Sequence, residues 1–430
     1  MSAGLRVAVV GGGYSGLAAA VELARAGVGV EVFEASRSLG GRARAVEIEG
    51  LPLDNGAHIL AGAYRQTLRM LDLVGATGVL RRSPLRLEYP GQMRIAAPSW
   101  LPAPLHLAWA LLGARGLGAN EKLAALRFMN ALKASRFRVA EDLTAQALLS
   151  AQPERLRRLL WEPLCLATLN TPIDQASAQV FANVLRDTLG GRRQASDLLL
   201  PTADLSALFP EPAARYLAAH GAFLHRGTRI GAVTRTDNGF FLDDQGPFGQ
   251  VILAVAPYHL PTLIADLPGL RDLSRQVSAF QWQPIVTCYL HYGDQVRLPW
   301  PMVGVANGHA QWLFDLGTLR ALPGTLAAVI SARGRHQELD GNELADRIHA
   351  EVSRIVPRLP VRRWHRVISE RRATFACTAR LQRPPTETAL AGLWLAGDYV
   401  AGDYPATIEG AIRSGVRAAA SVLQATGDQP

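Results

Sequence analysis

The sequence predicts an α/β fold in which a parallel sheet is assembled from separated segments of the chain and is accompanied by a second, α+β domain. Three observations lead to this prediction. Residues 5–34 alternate an apolar run, a helical stretch and another apolar run, which is typical of a strand–helix–strand unit. Similar runs recur at 251–255, in the middle of the chain, and at 393–396, near its end. We therefore expect one sheet to collect strands from all three regions.

The chain has 430 residues, 49% of them hydrophobic and 19% charged, which is enough for two packed domains. We predict that the first domain combines three segments, residues 1–76, 206–257 and 385–430. The second domain is predicted to combine residues 77–205, which are mainly helical, with residues 258–384, which supply a sheet. The two domains would then interleave along the chain.

The net charge of +9 indicates an anionic partner or surface. No zinc-finger spacing, base-stacking motif or basic arm accompanies this charge, so we expect no nucleic-acid partner, and an anionic membrane surface is the better interpretation. Cys165, Cys288 and Cys377 lie too far apart for a disulfide framework or a metal-binding pair, and we predict no metal site. No signal peptide precedes the first strand, so we expect a cytoplasmic protein.

A glycine-rich loop joins the first strand to the first helix. Gly11, Gly13 and Gly16 have the spacing GxGxxG. The first glycine permits the turn, the second lets backbone N–H groups approach a pyrophosphate, and the third lets helix and strand pack closely. The N-terminus of the helix, with Tyr14 and Ser15, adds a favourable partial positive charge. Between a strand and a helix, this spacing indicates a Rossmann-like dinucleotide-binding unit.

The next residues suit the rest of a dinucleotide. Glu34 ends the second strand, where a carboxylate can accept hydrogen bonds from a ribose. Gly40 and Gly41 precede Arg42, which this turn would place beside phosphate or flavin oxygens as a fixed cation. Ile230, in a strand predicted where the chain returns to the first domain, is a further candidate for cofactor contact.

The C-terminal segment favours FAD over NAD. Gly397 and Asp398 follow a buried strand, as a turn that can bind the ribityl and pyrophosphate region. Ala406, Thr407 and Ile408 then lead into the closing helix, whose N-terminus would face the flavin pyrimidine, where reduced flavin carries negative charge. Each turn is ordinary by itself, but their order along the chain predicts an FAD site.

This order of motifs resembles the flavin-containing amine oxidase and phytoene desaturase superfamily. A closer resemblance is to the squalene-associated desaturase-like flavoproteins, the hydroxysqualene dehydroxylases of bacterial hopanoid synthesis. Five stretches carry it: 53–60, 104–107, 123–138, 161–170 and 405–411. Ala57 departs from the family pattern, which has glutamine at that position, and this puts the detailed role of the 53–60 loop in doubt.

The resemblance implies a reductive dehydroxylation. Hydride from N5 of reduced FAD would replace the hydroxyl group of hydroxysqualene, giving squalene and water, with NAD(P)H or another donor reducing the flavin. The implied substrate is a long isoprenoid, so the pocket must be long, apolar and reachable from a bilayer. Association with other enzymes of squalene and hopanoid synthesis is also expected.

A general acid could protonate the departing oxygen. His58 and Asp54 are the candidates, because the resemblance places their loop close to the flavin. Asp54 could equally be a structural turn carboxylate, and His58 a satisfied loop histidine. Aromatic faces could stabilise a developing cation, although core packing is the commoner role of such residues. The aromatic candidates are Trp161, Tyr289, Trp312 and Phe314.

The segment 99–117 is apolar and contains Trp100 and Trp109. It is interrupted by prolines and too short to span a bilayer, which needs ~20 residues. It could lie in the membrane interface, with arginines nearby on anionic lipid, or be a buried helix of the second domain. We predict peripheral association with the inner face of the cell membrane.

Three alternatives remain at this stage. A carotenoid or phytoene desaturase would run hydride transfer in the opposite direction. An amine oxidase is disfavoured, because the resemblance implies a lysine near flavin N5 and the only lysines, Lys122 and Lys133, lie in the predicted helical segment. A non-catalytic, flavin-holding subunit of an isoprenoid-synthesis complex is the third.

Overall fold

The computed structural model describes residues 6–139, 141 and 143–427. Strands β1 to β20, in chain order, are Arg6–Val10, Gly29–Glu34, Ala45–Ile48, Leu51–Asp54, Leu60–Ala61, Leu80–Ser83, Arg86–Tyr89, Met93–Ala96, Leu198–Pro201, Phe223–Arg226, Val233–Thr236, Gly239–Leu242, Gln245–Phe248, Gln250–Leu253, Trp282–His291, Met302–Gly304, Trp312–Asp315, Thr325–Ser331, Trp364–Phe375 and Leu393–Leu395. Helices α1 to α15 are Tyr14–Arg25, Arg65–Leu73, Leu105–Leu112, Ala119–Ala134, Ala145–Leu148, Glu154–Leu156, Glu162–Leu169, Ala178–Leu189, Leu205–Leu208, Pro210–Ala219, Leu260–Leu263, Arg271–Ser278, Leu316–Arg320, Gly341–Ser353 and Ile408–Gly427.

A five-stranded parallel sheet has the order β10-β2-β1-β14-β20. Its strands come from the beginning, the middle and the end of the chain, as predicted. β1 and β14 are buried along almost their whole length, which is why both sequences are continuous apolar runs. The predicted fold class, a Rossmann-like parallel sheet built from discontinuous segments, is confirmed.

Helices α1 and α15 pack tightly against each other. A Cβ added at Gly415 of α15 would lie 2.0 Å from the Ser15 carbonyl oxygen of α1, so only glycine allows this approach. Glu409, in the first turn of α15, is fully buried and accepts hydrogen bonds from the Thr67 backbone and hydroxyl at 2.8 and 2.7 Å. These contacts fix the end of α15 that meets the cavity described below.

A second five-stranded sheet, β16-β17-β18-β15-β19, is antiparallel in all its pairings. One face packs against α14 through an apolar cluster that includes Leu326, Ile330 and Ile348. The other face carries Ile285 and Trp312 and forms a floor beneath the cavity. The chain therefore places the cavity between two sheets drawn from interleaved segments.

The segment predicted to be mainly helical contains α3 to α8, but it also contains strands. β6, β7 and β8 precede the helices, and β9 follows them to pair with β5 and β6. The sequence pattern also predicts a helix over 153–169, and the structure has α6 and α7 there, joined by a π-helical turn at Arg157–Trp161. The domain boundaries themselves stay a prediction.

The sequence pattern predicts one strand over 226–233, and this prediction is wrong. β10 ends at Arg226, and β11 begins only at Val233. Gly227 has a φ of +72°, which breaks the strand, and the Asp243 carboxylate holds the loop by accepting from the backbone of Gly231 and Ala232. Ile230 therefore lies in a loop and not in a strand.

Candidate active site

One large cavity, of about 1200 Å³, runs between the parallel sheet and the antiparallel floor. Ordinary ligand pockets measure ~300–1,000 Å³, so this cavity has room for a cofactor and a substrate together. One part is lined by the glycine loop and the turns at Arg42 and Asp398. The other part is lined mainly by apolar side chains. A polar compartment therefore opens directly into an apolar one.

The glycines of the first loop differ in what surrounds them. A Cβ at Gly16 would lie 1.9 Å from the Gly11 carbonyl oxygen, and one at Gly11 would lie 2.5 Å from the Ala254 carbonyl oxygen. These two positions exclude side chains because of the protein's own packing. Gly13 and Gly41 both line the cavity, and the nearest atom to a Cβ at Gly13 is the Gly41 Cα, at 3.9 Å. The backbone at Gly13 is thus open on its cavity side, as close approach to a pyrophosphate requires.

Helix α1 begins at Tyr14, with Gly13 as its N-cap and no side-chain cap. It has no acidic residue in its first turn, so its N-terminal charge is available to an anionic ligand. Tyr14 and Ser15 both line the cavity, and the Tyr14 hydroxyl donates to the Leu205 carbonyl oxygen at 3.0 Å. The Tyr14 hydroxyl proton is therefore used in a bond within the protein.

Glu34 lines the cavity at the end of β2. One carboxylate oxygen accepts from the Gly12 N–H and the other from the Ser36 N–H, both at 2.7 Å. A carboxylate has about four lone-pair sites, so two remain for ribose hydroxyls. The backbone bonds hold the carboxylate beside the glycine loop in the orientation that the ribose prediction needs.

Arg42 and Asp398 meet across the cavity wall. The guanidinium donates to the Asp398 carboxylate at 2.7 Å and to the Ala373 carbonyl oxygen at 2.7 Å. Burial alone would lower the pKa of Arg42, but the Asp398 carboxylate outweighs it and the pKa is raised. Gly40, Gly41 and Gly397 line the same region. The two predicted turns, 356 residues apart in sequence, therefore form one rigid polar site.

Ala406, Thr407 and Ile408 line the cavity where α15 begins. The Thr407 hydroxyl accepts from the Gly410 N–H at 3.1 Å, which caps this end of the helix. Ile230 also lines the cavity, from its loop. The candidate cofactor residues thus all line one compartment, with the exception of Gly16. Gly16 packs against the Gly11 carbonyl oxygen and does not line the cavity. Their geometry fits FAD.

His58 lines the cavity. Its Nδ1 lies 2.7 Å from the Gly56 carbonyl oxygen, so Nδ1 carries a proton and donates. Burial lowers the pKa of His58, and the Gly56 bond opposes this only in part. The neutral ring therefore leaves a lone pair at Nε2, which can accept a hydrogen bond. The general-acid role predicted for His58 requires a proton at that atom and stays a prediction.

Asp54 is not among the residues that line the cavity. One of its carboxylate oxygens accepts from the Leu205 N–H at 2.9 Å, and the other forms an ion pair with Arg320. Burial raises the pKa of Asp54 to about 6, although Arg320 and the Leu205 N–H act to lower it. This geometry favours the structural alternative for Asp54 over proton transfer to a substrate.

The apolar compartment extends from the floor to helices α3 and α4. Trp161, Trp312 and Phe314 line it, whereas Tyr289 does not: its hydroxyl donates to the Asp54 carbonyl oxygen at 2.8 Å. Trp161 belongs to the π-helical turn, a feature that often accompanies functional sites. The three lining rings are placed where they could face a developing cation.

Several polar residues of the cavity were not predicted from the sequence. Glu370 lines it and accepts from the Asn55 side chain at 3.2 Å, and Thr374 lies four residues further along β19. Asn170, which ends one of the stretches that carry the resemblance, donates to the Thr374 hydroxyl at 2.9 Å. Asn170 also donates to the Pro284 carbonyl oxygen of β15, so a tertiary contact of the end of α7 with the paired strands β15 and β19 brings it to Thr374. The sequence signal was the place of Asn170 at the end of that stretch, and the structure shows it as a left-handed residue that ends α7.

Comparisons with known proteins show which family the chain is similar to. The profile of the family described as flavin containing amine oxidoreductase matches residues 14–423. The chain is 32% identical to a hydroxysqualene dehydroxylase of Rhodopseudomonas palustris, with 97% of this chain and 98% of that protein covered. It is 30% identical to a hydroxysqualene dehydroxylase of Sinorhizobium fredii, with 98% and 99% covered.

Solved structures share the fold. An oxidoreductase from Methanosarcina mazei superposes with a TM-score of 0.74 at 15% identity, covering 98% of this chain and all of the other. A cyclohexylamine oxidase from Brevibacterium oxydans gives a TM-score of 0.69 at 16% identity, covering 99% of this chain and all of the other. At these identities the likeness concerns the fold alone.

Proposed function

Because the chain belongs to the flavin-containing amine oxidoreductase family and, within it, to the hydroxysqualene dehydroxylases, we propose that it reductively dehydroxylates hydroxysqualene. It is a flavin-dependent oxidoreductase, and we propose FAD as the flavin. In the proposed reaction a hydride forms a new C–H bond, the C–O bond breaks, and the hydroxyl leaves with a proton as water. Squalene, a precursor of hopanoids, is the product, and NAD(P)H or another donor restores the electrons.

The observation that carries this proposal is the single cavity, in which the Gly13–Arg42–Asp398 compartment opens into an apolar compartment. A long hydrocarbon needs such a lining, since each buried CH₂ contributes ~0.8 kcal/mol. When bound, reduced flavin would supply the hydride. The protein would hold the pyrophosphate at the N-terminus of α1, the ribose at Glu34 and the ribityl region at Asp398, and would exclude water from the substrate.

We expect the purified protein, reduced anaerobically with its flavin, to convert hydroxysqualene to squalene. Extraction and gas chromatography would detect the product, with the flavin-free protein as control. Absence of squalene from the reduced holoprotein, together with dehydrogenation of phytoene by the oxidised form, would favour the desaturase alternative and contradict the proposal.

Membrane docking is the second part of the proposal. Helix α3 turns Leu107, Ala108, Ala110 and Leu111 towards the cavity, while Leu105, Trp109 and Leu112 are exposed. We call these, with their exposed neighbours, the apolar face: Trp100, Leu105, Trp109, Leu112, Leu123 and Leu126. Leu126 belongs to both this face and the cavity lining. A substrate dissolved in lipid could therefore enter the cavity at this face.

Charge beside the apolar face suits an anionic lipid surface. Arg115, Arg127, Lys133, Arg136 and Arg138 are all exposed around it. Each basic residue near such a surface contributes ~1 kcal/mol of attraction. In the described part of the chain, no helix combines the length and hydropathy needed to cross a membrane. We therefore propose interfacial docking through α3 and the start of α4.

We expect Trp109→Glu to weaken binding to vesicles that contain an anionic lipid by at least about tenfold. Trp109 is 57% exposed, and burying an aromatic side chain of ~200 Å² is worth a few kcal/mol. Flotation of the protein with phosphatidylglycerol vesicles would measure this. Val361→Glu, with the same charge change at a residue 86% exposed in another segment, is the matched control. Equal flotation of the two variants would contradict docking through the apolar face.

A further inference from the structure

Asn170 is a buried residue whose side-chain orientation is fixed by its neighbours. Its Oδ1 accepts from the Ala332 N–H at 2.7 Å, so the other end of the amide must be the donor group. That Nδ2 group donates to the Pro284 carbonyl oxygen at 3.3 Å, which can only accept, and to the Thr374 hydroxyl at 2.9 Å. The amide therefore cannot be flipped without losing these bonds.

The fixed amide determines where the Thr374 proton points. Because the Thr374 oxygen accepts from Asn170, its own proton must be directed elsewhere. No acceptor for that proton is found among the described residues. Thr374 lines the cavity and is otherwise buried, at 6% exposure. A donor that is held in this way, with no partner in the protein, is suited to an oxygen atom of a ligand.

Thr374 also stands where the two compartments of the cavity meet. It follows Ala373, whose carbonyl oxygen accepts from Arg42 at 2.7 Å, and Arg42 pairs with Asp398 in the cofactor compartment. Asn170 and Ile285, both cavity-lining, belong to the surrounding wall. An alcohol carbon bound next to Thr374 would therefore lie beside the cofactor compartment, with its hydrocarbon in the apolar one.

We propose that Thr374, oriented by Asn170, is the subsite that binds the hydroxyl oxygen of the substrate alcohol. The inference rests on the proposed dehydroxylation and deepens it, because it names the group that distinguishes an alcohol from a plain polyene in this cavity. Thr374 donates a hydrogen bond and transfers no proton. Asn170 is a positioning residue, since it acts on the substrate only through Thr374.

The test compares binding of hydroxysqualene and squalene to the oxidised holoenzyme, in which no turnover occurs. Each ligand is titrated in detergent, and perturbation of the flavin absorbance gives its Kd. We expect Thr374→Val to weaken hydroxysqualene binding by about two- to tenfold and to leave squalene binding unchanged, as loss of one hydrogen bond predicts. Thr374→Ser should retain wild-type preference for the alcohol.

One matched control and one rival donor are tested beside Thr374. Thr188 also lines the cavity, but its hydroxyl donates to the Val184 carbonyl oxygen at 2.6 Å, so Thr188→Val should bind both ligands like the wild type. Trp312 lines the cavity with a buried N–H that has no partner in the described structure. Loss of alcohol preference in Trp312→Phe but not in Thr374→Val would overturn the proposal.

The proposed reaction and this subsite can fail separately. If wild-type protein prefers hydroxysqualene but forms no squalene when reduced, the reaction is wrong and the subsite stands. If wild type forms squalene and Thr374→Val keeps the full alcohol preference, the subsite is wrong. If Thr374→Val purifies without flavin, Thr374→Cys replaces it in the test, because cysteine is similar in size and a weaker donor. We expect Thr374→Cys to weaken hydroxysqualene binding too and to leave squalene binding unchanged.

Discussion

Replacing Gly13 by alanine should weaken flavin binding strongly while leaving the polypeptide folded. The backbone at Gly13 has φ −77° and ψ 178°, which alanine adopts freely. The added methyl would meet no protein atom closer than 3.9 Å. It would, however, project into the space where backbone N–H groups must approach the pyrophosphate. We expect FAD affinity to fall at least about a hundredfold, the effect of losing one or two hydrogen bonds to a charged group.

The measurement is reconstitution of the apoprotein with FAD, followed by quenching of flavin fluorescence. The matched control is Gly341→Ala, also at a helix N-terminus and also with its nearest neighbour at 3.9 Å, on the Val367 side chain. Thermal unfolding of the apoproteins should place Gly13→Ala within about 1 kcal/mol of wild type, as expected for a changed N-cap. Normal flavin content in Gly13→Ala would show that the pyrophosphate does not approach this backbone.

Gly16→Ala should behave differently. Its methyl would lie 1.9 Å from the Gly11 carbonyl oxygen, so the loop itself must move and the apoprotein should also lose stability. The spacing GxGxxG predicts that the second glycine serves the pyrophosphate and the third the packing of helix and strand. The distances at the two Cβ positions agree with this division, because only Gly16 is crowded by the protein itself.

Burial and long-range contacts decide which elements of the fold could be predicted from the sequence. Strands β1 and β14 were predictable because their burial on both faces produces continuous apolar runs. The loop around Ile230 was mispredicted because a glycine turn and a distant carboxylate, Asp243, override a strand-like composition. Local pattern thus identified strands of the buried sheet and failed where a long-range contact decided the backbone.

The candidate site divides in the same manner. The glycines, Glu34 and Arg42 could be predicted, because their spacing in the sequence is the spacing that dinucleotide binding requires. Thr374 carries no such signal, because its importance arises from an amide 204 residues away in the chain. Likewise, the sequence left Asp54 open as a catalytic or a structural carboxylate, and its partner Arg320, 266 residues distant, favours the structural role. Residues that act through a pair of buried side chains are invisible until the pairing is known.

Loss of Arg320 should produce the largest effect on stability. The Arg320 and Asp54 side chains are each only 7% exposed, and their ion pair fastens the loop that carries His58. Removing one partner of a buried pair leaves the other charge without compensation and typically costs about 3–5 kcal/mol. We expect this loss for Arg320→Leu, measured by urea unfolding at a fixed excess of FAD. Arg275→Leu, which removes an exposed pair with Asp272, should cost no more than about 1 kcal/mol.

The pH dependence of the free energy of unfolding gives a second, independent readout of the Arg320–Asp54 pair. The pKa of Asp54 is about 6 in the folded protein and 3.8 ordinarily, so between these values the folded state binds more protons. Stability attributable to this group therefore falls as pH rises through that window. Because Arg320 acts to lower this pKa, its removal should raise the pKa further and extend the fall to higher pH. Arg320→Leu should thus be most destabilised at about pH 8 and recover partly at about pH 5.

Asp54→Asn in the Arg320→Leu background should remove that pH dependence, because the amide oxygen can still accept from the Leu205 N–H without carrying a charge. The double variant should be more stable than Arg320→Leu alone at about pH 8, where the uncompensated carboxylate is ionised. If both variants instead lose equal stability at every pH, the cost comes from lost packing of the Arg320 side chain, and the charge of Asp54 does not hold the His58 loop in place.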